Sequence, residues 1–467
     1  MLIRLKVKGY KNLAEVDVRF GPLTCIVGPN NAGKSNLLDA IGFLGAMASM
    51  PISAAAATIK GSIGNGAVSS LFTSTHGWRS EWIDFQADFL VPQTCPVGAG
   101  LTHPLPCTAL SYAVRLRFVP ARQGQPDEVL VESESLVALT GEELAGALEF
   151  ATSPEFSEEF LASAKQSLFL TMDDAHPGTL LVHGEGAGAV PKPVRISGSP
   201  RTFISSCGPA GHAAVLAAKR EMQSWSVFHL EPSALRRADD EPAGGAMSRT
   251  GFRLASAVEA LNRNEALAYR LSGLIPGLVD IAVGVDSDSG RREIELHMIN
   301  GARVRARSLS DGTLRLLALA VIALDSKAAG VLCIDEPENG MHPASLNLVV
   351  ELFSEAAVDT AFPVDSDNPL RQIIFCTHSP NVVQALQVDD LLVAQTYKYD
   401  GAELSLFSPM AGSWRARAAR KKGRGAVPEV YFGALMAYLG GGDSELLSSS
   451  RGSGILQAFR SSAVPPP

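Results

Sequence analysis

LTCIVGPNNAGKS, Leu23 to Ser35, decides how the rest of this 467-residue chain is to be read. Leu23 to Val27 is short and mostly apolar, the signature of a buried strand. It runs straight into the pattern G-x-x-x-x-G-K-S: Gly28, Pro29, Asn30, Asn31, Ala32, Gly33, Lys34, Ser35. From Lys34 to Met47, residues Leu37, Leu38, Ile41 and Leu44 recur at helical spacing. Strand, glycine-rich loop and helix together are the context this pattern requires. Successive backbone N–H groups and the helix N-terminus then form a cradle for anions. Gly28 and Gly33 let the backbone approach phosphates, Lys34 neutralises the β- and γ-oxygens, and Ser35 ligates Mg²⁺. Asn36 closes this nucleotide-contacting run. The cofactors expected are ATP and Mg²⁺.

Three later motifs extend the site. VLCIDEPENGMHP (Val331 to Pro343) is an apolar run ending in adjacent carboxylates, which belongs at the ligand-binding mouth of a parallel sheet. There Asp335 would hold Mg²⁺ through water, and Glu336 would orient and deprotonate the attacking water. IIFCTHSP (Ile373 to Pro380) has the same form, ending in Thr377 and His378. His378 either contacts the γ-phosphate and senses its presence or caps the following turn. His342 has two open roles, structural or at an interface. LSDGT (Leu309 to Thr313) opens the helical run TLRLLALAVIALD. Ser310, Asp311 and Gly312 thus sit at an outward-facing, anion-binding helix end. In the usual architecture that end cannot reach its own glycine-rich loop. It serves the ATP of a second copy, so a homodimer or higher oligomer joined through ATP is expected.

Composition sets outer limits. An apolar fraction of 46% and a charged fraction of 19% describe a globular chain. A formal net charge of -8 excludes a uniformly basic coat protein but leaves room for local basic patches. The start MLIRLKVKGYKN has no apolar core segment and is not a signal peptide. The best membrane candidate, Leu316 to Leu324, is about half the ~20 residues a span needs. No membrane partner and a cytoplasmic location are therefore expected. Six scattered cysteines without a CxxC pair fit a reducing compartment and no metal site.

Along the chain, residues 3–9 and 14–20 alternate apolar and polar as two strands joined by a tight turn. Residues 50–221 change texture: short strand-like runs broken by Gly, Pro and small residues, with one helix expected over Glu142 to Gln166. This stretch reads as an inserted, mainly antiparallel lobe between the two halves of an α/β phosphate-loop core, 1–49 and 222–400. A helix around Ala255 to Leu274 and strands near Val279–Val285 and Glu293–Met298 precede LSDGT. Residues 401–467 form a short C-terminal extension with one helical run, Val430 to Leu439, and a frayed end. Two basic patches stand out: Arg415, Arg417, Arg420, Lys421, Lys422 and Arg424 in SWRARAARKKGRG, and alternating Arg303, Arg305 and Arg307. Each is either phosphate-contacting or ordinary solvated charge.

With these motifs, the opening strand–GYKN–strand unit and FHLEPSALR (Phe228 to Arg236), the chain resembles the AAA-type ATPases of the ABC superfamily. The branch is that of RecF, the SMC proteins and the overcoming-lysogenization-defect (OLD) nucleases. The resemblance covers 1–49 and about 222–400. It implies an ABC/SMC-head-type fold and a head-to-tail dimer holding two ATP molecules. Each would lie between Gly28–Ser35 of one copy and Ser310–Gly312 of the other. It also implies that Lys11 or Asn12 lies near the adenine. The chain departs from transporter subunits, which read LSGGQ. Their metal-coupling glutamine has no clear counterpart; Gln86 and Gln93 are the candidates. Coiled-coil arms and a zinc hook are absent. About 90 residues follow His378, too few for a Toprim nuclease domain. The function expected is a MgATP-hydrolysing switch that acts on or senses nucleic acid, DNA above all. Its setting would be anti-phage defence, with a separately encoded nuclease or toxin as effector. A RecF-like repair ATPase and, less fittingly, a transporter ATPase subunit are the alternatives.

Overall fold

The computed structural model describes residues 1–59, 68–98, 101–121, 127–151, 153–161, 167–184, 189–208, 212–240, 247–285, 290–325, 330–421 and 427–441. Its nucleotide-facing half is a six-stranded sheet. The strands lie in the order Ser226–Phe228, Gly330–Asp335, Arg371–Thr377, Leu23–Val27, Leu391–Tyr399, Ala402–Pro409. The first five are parallel and the last is an antiparallel edge. Continuous apolar runs such as VLCI and IIFC are what a sheet buried on both faces demands. Helix Lys34–Met47 covers one face; helices Asp311–Leu324 and Leu346–Ala356 pack with the other. Register places Asp335 opposite Cys376, so the carboxylates and His378 leave the sheet at the same end.

A second sheet has eight antiparallel strands: Leu13–Arg19, Leu2–Tyr10, Trp82–Leu90, Ala109–Val119, Glu128–Ala138, Leu168–Met172, Thr179–Val182, Lys192–Arg195. The first two strands of the chain thus pair with the strands of 50–221, not with the parallel sheet. Alternation predicts such strands but not their partners. Helix Lys34–Met47 is held between the two sheets, which is why it is apolar nearly all round. Phe43 meets Tyr10 and Phe85 at centroid distances of 6.0 Å each, on the antiparallel side. Full burial of such a ring contributes about 1.5–3 kcal/mol.

Several expectations are corrected. Glu142 to Gln166 is not one helix. Gly141–Ala147 starts on a Thr140/Glu143 capping box, and Pro154–Leu161 is a second helix. Proline disfavours helical backbone in the residue before it, which ends the continuity. The helix around Ala255 to Leu274 likewise divides into Leu254–Leu261 and Asn264–Ser272, broken where Asn262 takes φ 50°. Arg303–Arg305 is a strand, but Arg307 lies in a 3-10 turn.

The stretch beginning SWRARAARK is a helix, Trp414–Lys421, that docks on the core. Arg415 is 3% exposed, donates to Arg19 O, Asp389 O and Thr24 Oγ1, and cannot reach DNA. Burial lowers its pKa to about 10. Arg420 pairs with Glu429. Lys422, Arg424 and the end 442–467 lie outside the described residues. All six cysteines are free and buried. Burial pushes the Cys25, Cys333 and Cys376 thiols up, so they stay protonated and unreactive.

Glu134 is buried in the antiparallel half, accepting from Phe203 N, Ile204 N and Tyr112 Oη. Desolvation raises its pKa to about 7. A carboxyl whose pKa is higher folded than unfolded favours the fold below the unfolded value. That contribution is lost as pH rises towards 7 and is fully gone above it. The expected loss is roughly 3 kcal/mol. Denaturant melts of wild type and Glu134→Gln at pH 5 and pH 8 check it: the variant should gain on wild type at pH 8.

Candidate nucleotide site

The phosphate loop leaves its strand at buried Gly28, turns through exposed Asn30 and Asn31, and re-enters the core at Ala32 and Gly33. Asn31 has φ 64° and Gly33 φ 90°. A Cβ at Gly33 would also collide with the Ser405 hydroxyl, so glycine is required there twice over. Asn12 braces the loop: its amide donates to Asn31 O at 3.3 Å and accepts from Asn36 Nδ2 at 2.7 Å. Lys11 instead pairs with Asp39 of the following helix at 2.6 Å.

Lys34 is 5% exposed, and its ammonium is met only by the carbonyls of Gly28 (2.8 Å) and Pro29 (2.9 Å) among the described partners. A buried cation held by two carbonyls and no carboxylate is poorly compensated. It fits an anion arriving in the loop. Ser35 Oγ lies 3.0 and 3.2 Å from the two oxygens of Asp335. A hydroxyl against a carboxylate is the oxygen donor set that Mg²⁺ accepts with its own waters.

Glu336 follows with φ 47°, an uncommon conformation for a side chain of its size. Its N–H bonds Cys376 O, and Asn339 Nδ2 holds its Oε2 at 2.8 Å. His378, 52% exposed, places Nδ1 3.6 Å from Glu336 and 3.5 Å from Glu338. His342 caps a local turn by accepting from Ala344 N. Ser310 caps helix Asp311–Leu324 by accepting from Thr313 N at 3.2 Å. Ser310 and Asp311 are exposed. Among the described residues no hydrogen bond or ion pair joins 309–313 to 28–36. Gln86 bonds Lys6, Asp88 and Ser111, and Gln93 bonds Glu159, so neither meets the loop through a described bond.

The structure therefore gathers Gly28–Asn36, Asp335, Glu336 and His378 at one end of the parallel sheet and leaves Ser310–Gly312 apart from the loop. It also adds residues that motif reading passed over. Glu338 is 8% exposed; one oxygen accepts from Thr377 Oγ1 (2.6 Å) and His378 N (3.0 Å), while Oε2 has no partner. His229 sets Nδ1 3.6 Å from Asp335. Arg236 grips the LSDGT turn at Leu309 O and Asp311. Three carboxylates in DEPEN hinted at Glu338. His229 and Arg236 lie within FHLEPSALR, which sequence singles out without pointing to their partners, about 106 and 75 residues further on.

Comparison with known proteins bears on this site at both ends of the chain. Residues 1–66 match a family model described as an "AAA ATPase domain". Residues 210–384 match one described as "AAA domain, putative AbiEii toxin, Type IV TA system". A 41-residue stretch is 56% identical to an OLD nuclease of Thermus scotoductus, covering 9% of this chain and 8% of that protein. Another match, over 44 residues, is 54% identical to the DNA replication and repair protein RecF of Magnetococcus marinus, covering 9% and 12%. The chain thus spans about a tenth of the length of these curated relatives. Among solved structures, an SMC head bound to the C-terminal winged-helix domain of ScpA aligns over 87% of this chain and 98% of its own, at 15% identity and TM-score 0.45. The two family matches between them contain all four motifs, the phosphate loop in the first and the other three in the second. The chain thus carries AAA-type ATPase domain matches at residues 1–66 and 210–384 and, over short stretches, is similar to an OLD nuclease and a RecF protein.

Proposed function

We propose that this ATPase is a MgATP-driven switch that closes head to tail with a second copy and reports on nucleic acid in anti-phage defence. Its effector, a nuclease or toxin, would be a separate protein, and its location cytoplasmic. The observation that carries the dimer is the capped, exposed end of the LSDGT helix, which shares no described bond with its own phosphate loop. Among the described residues no helix is long and apolar enough to cross a membrane.

In the proposed cycle Lys34 exchanges its two carbonyl partners for phosphate oxygens. Ser35 and Asp335 would hold Mg²⁺, which offsets charge on the phosphates. Glu336, fixed by Asn339, orients the attacking water and takes its proton. His378 stands between the two glutamates and turns to the γ-phosphate. Ser310 and the helix N-terminus behind it complete the site from the second copy.

The nucleic-acid and defence parts draw on the OLD nuclease and RecF matches and on the AbiEii description. Exposed Arg303, Arg307 and Arg417 remain available for phosphates. The RecF match supports a second reading, a repair ATPase acting at gapped or end-bearing duplex. ATP turnover with and without linear and gapped duplex, with Lys34→Ala as blank, separates them. The defence reading expects stimulation by linear duplex and, in cells, crosslinking to nucleic acid or an effector. Stimulation confined to gapped duplex would favour repair, and crosslinking to neither nucleic acid nor a partner would sink the defence reading.

A further inference from the structure

An acid stands at the first turn of a helix that, on the reading above, faces the ATP of a second copy. Asp311 suits the isolated helix, because a carboxylate at an N-terminus is favoured by the helix dipole. It ill suits that helix as an anion site, since the same charge repels a polyphosphate. The structure supplies the answer in a residue far off in sequence. Arg236 sets Nη1 2.5 Å from Asp311 Oδ1 and donates from Nη2 to Leu309 O at 2.7 Å. One guanidinium thus grips the turn on both sides of Ser310. Arg236 is itself fixed at the end of the short helix Pro232–Leu235, where its N–H bonds Pro232 O and Leu235 is buried. From beneath, Gly312 lies so close to Gly340 O that a Cβ would collide with it, which ties the turn to the DEPENG loop.

We propose that Arg236 is a positioning residue for the ATP held by the second copy. It cancels the charge of Asp311 and holds Ser310 and the helix N–H groups open to the incoming phosphates. This rests on the head-to-tail reading. The pair is half exposed, and as a surface ion pair it adds little to folding. Its effect belongs to the ATP-bound dimer, where a polyphosphate is brought against it. The arrangement also accounts for an acid in the third position of LSDGT, where transporter subunits carry glycine.

The test uses full-length protein in a Glu336→Gln background, with ATP-dependent dimerisation followed by sedimentation velocity and ATP binding by fluorescent analogue. Arg236→Ala should weaken the ATP-dependent dimer about tenfold or more, with unchanged melting temperature and unchanged ATP binding to the monomer. Adding Asp311→Asn to Arg236→Ala removes the uncovered charge and should restore most of the dimer. A role in shape alone would not be rescued in this way. Asp311→Asn by itself leaves Arg236 facing the phosphates and should tighten the dimer, an outcome that does not depend on Arg236→Ala folding well. An Arg236→Ala dimer as tight as its parent, a double variant no better than the single, or a weaker Asp311→Asn dimer would each overturn the proposal. If the parent binds ATP yet never dimerises, the head-to-tail reading itself fails, and this inference falls with it.

Discussion

Glu336→Gln should hydrolyse ATP about 10²–10⁴-fold more slowly than wild type while still binding it, and should accumulate as an ATP-bound dimer. The geometry makes this a clean substitution. Glu336 holds its place through its backbone, by the N–H bond to Cys376 O, and through Asn339 Nδ2 on Oε2. Glutamine offers the same length and one amide oxygen to accept from Asn339, so the turn and its φ of 47° should persist. What disappears is the basic oxygen that takes the proton from water. Single-turnover hydrolysis and sedimentation with ATP read the two halves of the prediction. A variant that turned over at the wild-type rate would remove Glu336 as the base. Glu338, whose Oε1 lies 3.5 Å from His378 and whose Oε2 has no partner, would then be the first place to look.

Lys34→Ala should weaken ATP binding at least about 100-fold, because it deletes a buried, charge-assisted contact to phosphate. The effect on the empty protein should be small. The ammonium it removes is met by two carbonyls only, and one of these belongs to the half-exposed Pro29. Wild type at about 100 times its Kd in MgATP should gain about 2.7 kcal/mol of stability, and the variant almost none. Thermal melts with and without MgATP decide it. A variant that melts far lower without nucleotide would show that Lys34 is a structural cation. Equal stabilisation of both proteins by MgATP would place the nucleotide elsewhere.

The parts of this protein legible in its sequence are those written by local physics. Gly28 to Ser35 declares itself because a loop wrapped round phosphate needs glycine, lysine and a hydroxyl at fixed intervals. Apolar runs ending in Asp335–Glu336 and Thr377–His378 declare strands buried on both faces, since nothing else combines such continuity with charges at one end. LSDGT is legible as a helix start for the same reason, and the structure adds that Ser310 caps it through the N–H three residues on. The errors came where local signals compete. Pro154 and Asn262 broke helices that periodicity alone carried through, and the basic run after Trp414 concealed Arg415, whose guanidinium is sunk into the core.

Tertiary structure alone decided which distant residues met. The first two strands could have edged either sheet, and only pairing with Trp82–Leu90 sets them in the antiparallel one. His229 reaches Asp335 because Ser226–Phe228 lies alongside Gly330–Asp335, and Arg236 reaches Asp311 because helix Pro232–Leu235 packs on helix Asp311–Leu324. Ser405 sits behind Gly33 because an antiparallel edge strand returns past the phosphate loop. Sequence by itself determined the chemistry at each strand end, since that depends on neighbours a few residues apart. The supports of that chemistry depend on which strands lie side by side, and side chains brought together across a hundred residues leave no periodicity to read.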